Sequence, residues 1–177
     1  MRLRWMAVCG VAAVVAGAGM TAAQGPKEIK VAIADAKGAD VGTATFKTVK
    51  SGVQVKIALK GLAAGPHGVH IHQKPLCEGP AFTTAGGHFN PDGKKHGYQN
   101  AMGHHNGDMP DNLNVGADGK GSATFVLTSI SLDPAAPNSL FLNGGTSIVV
   151  HEKADDEMTD PSGASGSRIA CGVIKGQ

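Results

Sequence analysis

Seven of the chain's eight histidines fall between positions 67 and 105: His67, His70, His72, His88, His96, His104 and His105. The eighth, His151, ends a short β-branched run that begins at Ser147. Glycine, proline and asparagine separate the seven, so they do not form a contiguous histidine tract. Imidazole is the commonest metal ligand among side chains, and a crowd of this kind reads as a metal site. His70-Ile71-His72 lies in an apparent strand, where residues two apart share a face. Two nitrogens on one face make half of the tetragonal set that Cu(II) favours, and His151 can bring a third from a distant strand. His105-Asn106-Gly107-Asp108 offers an imidazole and a carboxylate from one turn, with His88 and His96 just upstream. Three histidines and an aspartate in a closed tetrahedron suit zinc. Two four-coordinate ions need more donors than the plausible histidines and one aspartate provide. One histidine therefore has to serve both ions through its two ring nitrogens.

The elements that must position these donors read as strands. Ile29, Val31 and Ile33 alternate, then Val41, Thr43 and Thr45, then Val53, Val55, Ile57 and Leu59. Ala123, Phe125 and Leu127 alternate later, and Ser147–His151 and Ile169–Ile174 are short β-branched runs. Turns at Lys37-Gly38, Ser51-Gly52 and Gly61 separate the first three. This pattern predicts an all-β fold, an antiparallel sandwich or barrel of about eight strands with one buried face. Residues 73–108 and 152–167 break the rhythm. They are polar, rich in glycine and proline, and too long for hairpin turns, which marks them as functional loops.

Composition agrees and excludes other classes. Glycine is 26 of 177 residues and aromatics are 4%, which suits turns and ordered loops rather than a helical bundle. The formal charge of +2 comes from Arg2 and Arg4 near the start, and the rest of the chain is balanced. Without a basic run, and with one Trp, in the leader, and one Tyr, Tyr98, nucleic acid is excluded as the main partner. Met1–Ala23 has a positive start, an apolar middle too short for a confident membrane span, and a small-residue exit. It reads as a secretory signal peptide ahead of a single domain over 24–177. The expected location is the periplasm or the outside, with no stable membrane association once the leader is removed. Cleavage takes Cys9 away and leaves Cys77 and Cys171. In an oxidising compartment that pair is most simply a disulfide, with two buried thiols as the alternative.

Six blocks, in order, then carry a resemblance. Gly65-Pro66-His67-Gly68-Val69-His70-Ile71-His72 resembles the copper-binding signature of the copper/zinc superoxide dismutases. Gly86-Gly87-His88-Phe89-Asn90-Pro91, Lys95-His96-Gly97 and His105-Asn106-Gly107-Asp108 resemble that family's bridging and zinc segments. Val149–Asp156 and Gly166–Ile174 are similar to its last two blocks. The resemblance spans roughly residues 27–175 and implies a Greek-key β-barrel that disproportionates superoxide with copper and zinc as cofactors.

Position by position, it implies copper on His70, His72, His88 and His151, and zinc on His88, His96, His105 and Asp108. His88 is then the shared ring that the donor count requires, and it also carries a proton in catalysis. Asp155 resembles the carboxylate that orients one histidine of each site. Arg168, the only arginine after the leader, resembles an anion guide beside the copper. Cys77 and Cys171 match the intrasubunit disulfide. His67 matches a histidine that packs without binding metal, and His104 has no ligand counterpart. A homodimer is possible, as in other members of the family. The sequence departs from longer members in its short 152–167 loop, whose only lysine is Lys153. Long-range attraction of the anion then falls to Lys74, Lys94 or Lys95. The alternative function is a non-catalytic extracytoplasmic copper or zinc store. A zinc hydrolase is excluded, because His151-Glu152 lies in a strand-like run and position 155 is aspartate.

Overall fold

The structure, a computed structural model, describes residues 25–176; the expected signal peptide, with Cys9, lies outside the described residues. Nine strands form one antiparallel sheet: β1 Glu28–Asp35, β2 Asp40–Val49, β3 Gly52–Leu59, β4 Gly65–His67, β5 Val69–His72, β6 Leu113–Val115, β7 Gly121–Leu127, β8 Thr146–His151 and β9 Arg168–Ile174. Their spatial order is β4-β6-β7-β3-β2-β1-β9-β8-β5. The only helical pieces among the described residues are short 3₁₀ turns at Thr83–Ala85 and Leu142–Gly144. The all-β expectation is met, and two of the nine strands show no alternation in the sequence. β4 and β6 are three residues each, too short for a period of two to register.

The core is built by that period. Ile29, Val31 and Ile33 of β1, and Val53, Val55, Ile57 and Leu59 of β3, point inward onto Ile71, Leu113, Leu127, Ile148 and Ile174. In β2 the inward face differs from the expected one. Ala44 and Phe46 are fully buried, whereas Thr43 and Thr45 are only partly so. The register with β1 slips between Ile33 and Ala34, opposite Gly42 and Asp40. One extra residue in a strand reverses every side chain beyond it, which a sequence period cannot reveal.

β4 and β5 are joined by Gly68 alone, yet they occupy opposite ends of the sheet order. His67 pins this junction, with Nδ1 2.7 Å from the His151 carbonyl and Nε2 2.9 Å from the Ala63 carbonyl. On its free side β5 is covered by the long loop. The Ile71 N–H donates to the Gly107 carbonyl and the Phe89 N–H to the Ile71 carbonyl, both at 2.8 Å. A disulfide between Cys77 and Cys171 ties that loop to β9. Around it Phe82, Ala85 and Val149 form a small second apolar cluster.

Candidate metal centre

Edge strand β5 supplies His70 and His72, both on the face opposite core residue Ile71, as the period of two requires. The end of β8, paired with β5 through Val69–Val150, brings His151 alongside. The long loop returns over β5 with His88 opposite His72 and Asp108 opposite His70. One donor atom each from His70, His72, His88 and His151 lie within 4.8 Å of one another. The same holds for His70, His88, His96 and Asp108. All of these residues are buried.

Hydrogen bonds decide which ring nitrogen each histidine offers. His70 Nε2–H donates to Asp155 Oδ2 at 2.6 Å. His72 Nδ1–H donates to the Gly86 carbonyl at 2.9 Å, and His151 Nδ1–H to the Gly166 carbonyl at 3.4 Å. The opposite nitrogens, His70 Nδ1, His72 Nε2 and His151 Nε2, are buried without a partner, and so is His88 Nε2. A buried polar atom left unpaired is costly, and four such nitrogens turned to one place fit a cation with nitrogen ligands. Burial first, and the neighbouring His88 second, lower His70 to about 3 and His151 to about 4. The same two causes hold His72 well below the ordinary imidazole range. At neutral pH these rings are uncharged donors.

The second cluster converges on Asp108. His88 Nδ1 is 2.8 Å from its Oδ1, His96 Nδ1 3.1 Å from its Oδ2, and His105 Nδ1 3.4 Å from its Oδ1. His105 Nδ1 also lies 3.3 Å from His88 Nδ1. The four-residue group whose donor atoms lie within 4.8 Å of one another thus contains His70 where the sequence led us to expect His105. His70 Nε2 is already committed to Asp155, however, and its free Nδ1 belongs with the first set. Three Nδ1 atoms and one carboxylate are a donor set that fits zinc. Burial opposes the charged carboxylate, but hydrogen bonds from His105, His88 and His96 hold Asp108 below the usual carboxylate range. Burial likewise opposes a charged His96, while hydrogen bonds to Asp108 and Asp155 raise it to about 10.

His88 therefore presents Nε2 to one cluster and Nδ1 to the other. Asp155 spans both clusters as well, accepting from His70 through Oδ2 and from His96 through Oδ1, the latter at 3.0 Å. It is held by its own N–H donating to Asn112 Oδ1 and by the Glu157 N–H donating to its Oδ1. His67, with both nitrogens on carbonyls, stands outside the donor sets. So does His104, whose ring stacks on Tyr98 at 3.8 Å between centroids.

Arg168, at the start of β9, is half-buried. Its Nη1 donates to the Phe82 carbonyl at 2.8 Å and its Nη2 to the Gly86 carbonyl at 2.7 Å. The latter oxygen also receives His72 Nδ1–H, so one carbonyl aligns a donor ring and the guanidinium. A cleft of about 380 Å³ opens here, lined by His88, His151, Pro161, Ser162 and Arg168 among others. Of the loop lysines, Lys95 is paired with Asp160 at 3.0 Å and Lys94 lies 3.6 Å from Asp92, which weakens both as distant anion attractors. Sequence reasoning missed Asp160, and also the Phe82 and Gly86 carbonyls that hold Arg168. Backbone oxygens leave no trace in residue type, and Asp160 reads as one more acid in a polar loop.

Comparisons with known proteins agree with this geometry. The family model for copper/zinc superoxide dismutase matches residues 41–174. A Cu-Zn superoxide dismutase of Aquifex aeolicus is 43% identical over 142 residues, covering 78% of this chain and 81% of the relative. One from Deinococcus radiodurans is 40% identical over 164 residues, covering 85% and 86%. Among solved structures, a SOD-like protein from Bacillus subtilis superposes with a TM-score of 0.78 at 40% identity, over 82% of this chain and 97% of that one. The Cu/Zn superoxide dismutase from Brucella abortus gives 0.68 at 30% identity, over 84% and 99%. With its histidine clusters able to hold metal ions on the family's barrel, the chain belongs to the copper/zinc superoxide dismutase family.

Proposed function

We propose that the mature chain is an exported superoxide dismutase. Copper would be held by His70, His72, His88 and His151, and zinc by His88, His96, His105 and Asp108. The observation that carries this reading is the set of four unpartnered buried nitrogens facing one another, one of them on the ring that also faces Asp108. Copper there would supply the one-electron exchange that disproportionation of superoxide requires. Overall, two superoxide anions and two protons become dioxygen and hydrogen peroxide.

The chain's own groups supply the rest. Arg168 binds the anion in the cleft it lines; its two tethers leave the planar fork fixed before substrate arrives. Asp155 and the Gly86 and Gly166 carbonyls keep His70, His72 and His151 in the tautomers that leave the inner nitrogens free. His88 Nε2 is the atom suited to hold one proton whenever it is not a copper ligand, and to pass it to the reduced dioxygen species, while Nδ1 stays on the Asp108 side. The second proton enters from solvent through the cleft. Neutral surroundings make the Arg168 field the local guide.

Residues 1–23 act in this reading as a leader removed on export to the periplasm or the outside, and residues 24–177 as the working domain. The Cys77–Cys171 disulfide supports an oxidising compartment. Among the described residues no helix is long and apolar enough to cross a membrane. A homodimer is compatible with this function and is not required by it. The rival reading, a metal store, needs donors but has no use for a tethered arginine facing the same cleft. Metal quantification of the mature chain, paired with a superoxide assay before and after chelation, tests the choice. One copper and one zinc per chain, with turnover lost on chelation and restored by copper, is the expected result. Full metal binding without turnover would establish the store instead.

A further inference from the structure

Every ring in the two donor clusters has its non-metal nitrogen matched to an acceptor, except one. His70 and His96 use Asp155, His72 uses Gly86, His151 uses Gly166, and His88 would give both nitrogens to metal. His105 directs Nδ1 to Asp108 and His88, which leaves Nε2 turned outward without a hydrogen bond among the described residues. The nearest carboxylate oxygen to that Nε2 is Asp160 Oδ1, at 3.8 Å. The same Oδ1 accepts the His96 backbone N–H at 3.0 Å, and Oδ2 accepts from Lys95 Nζ at 3.0 Å. Asp160 thus touches or faces both histidines of the zinc cluster that are not shared with copper.

We propose that Asp160 is a positioning residue for the zinc-side imidazoles. It fixes the backbone that carries His96 and favours the proton of His105 on Nε2, keeping Nδ1 free for metal. The separation of 3.8 Å is an ion-pair distance rather than a hydrogen bond, so its action on His105 is electrostatic. Lys95 neutralises part of the carboxylate and holds it in place. Asp155 and Asp160 both belong to the 152–167 loop, so that loop grips the zinc cluster at two points before it reaches Arg168. Carboxylates behind metal-binding histidines fix ring orientation and raise donor strength, and removing one typically weakens metal binding about 10–100-fold.

The inference rests on the two-metal reading above, and the test separates the two. Zinc affinity is measured by chelator competition on the copper-free full mature chain. ¹⁵N-histidine NMR of the zinc-loaded protein follows His105 Nε2–H. Wild type should bind one zinc; failure at that step removes the two-metal reading and this inference with it. Asp160→Ala should weaken zinc binding about 10–100-fold and move the His105 Nε2–H resonance, with faster proton exchange. Asp160→Asn keeps an oxygen for the His96 N–H and should fall between that variant and wild type. Lys95→Met leaves both Asp160 oxygens in place and should stay within about threefold of wild type. Three results would overturn the proposal: affinity of Asp160→Ala within about twofold of wild type, weakened affinity with the His105 signal unmoved, or equal losses in Lys95→Met and Asp160→Asn. If Asp160→Ala does not fold, the comparison of the other two variants decides.

Discussion

Gly163 offers a sharp test of how the 152–167 loop holds the centre. Its φ of +62° lies in the left-handed region, and a Cβ there would sit 1.7 Å from Asp155 Oδ1 and 2.7 Å from His96 Nε2. Both are atoms of the hydrogen bond that links Asp155 to the zinc cluster. Gly163→Ala therefore has to displace Asp155, His96 or the loop itself. The backbone strain of a left-handed alanine costs about 1–2 kcal/mol. Losing a hydrogen bond between charged groups adds roughly 1.5–3 kcal/mol. The metal-free variant should thus lose about 2.5–5 kcal/mol of stability, and zinc affinity should fall about 10–100-fold. Gly93→Ala is the control. Its φ of +65° carries the same strain, but nothing lies within 4 Å of the added carbon. It should lose only the strain energy and keep its zinc affinity. Urea unfolding of both metal-free variants and chelator competition for zinc give the two numbers. Equal stability loss in both variants, with zinc affinity unchanged in Gly163→Ala, would refute the claim that this glycine exists to let Asp155 reach His96.

Arg168→Ala should lower kcat/KM about tenfold or more with metal content intact, because the anion loses its guide; unchanged activity at low ionic strength would remove Arg168 from the reaction. His88→Ala should empty both sites together in metal quantification; full zinc with only copper lost would show that the ring is not shared. The metal-free protein should lose stability as pH falls from about 6.5. His70 is lowered to about 3 and His151 to about 4, so between those values and 6.5 the unfolded chain binds more protons than the folded one. Each such histidine removes about 1.4 kcal/mol per pH unit over its window. His96, raised to about 10, acts in the opposite sense, and its contribution is lost as pH rises from 6.5 towards 10. Urea midpoints of the metal-free chain from pH 4 to 10 check both signs.

Much of the centre was legible because imidazole spacing is geometry. His70 and His72 share a face through the strand period alone, and the donor count by itself demands a ring with two roles. Asp155 was legible only through the resemblance, since the run Asp155-Asp156-Glu157 otherwise looks like solvated acid. Its two neighbours differ in what they do: Asp156 is exposed and caps Thr159, whereas Glu157 is buried, with burial and the Asp155 charge raising it to about 7. The inward face of β2 was misread because the slip opposite Gly42 shifts the phase, and a one-residue bulge has no signature in residue type. Asp160 stayed hidden for another reason. Its partners, the His96 N–H, Lys95 and His105, are 55 or more residues away in sequence and meet it only when two loops close together.

The strand that carries His70 and His72 is also the last in the sheet, and its outer rim is sheltered only by the returning loop. An uncovered rim of this kind is a template for pairing with a second chain. The contacts that gather the donors therefore double as a guard against self-association. Whatever loosens the loop would expose a bare ribbon of amide groups flanked by Val69 and Ile71, and the protein would become sticky at the same place where it ceased to be a metal site.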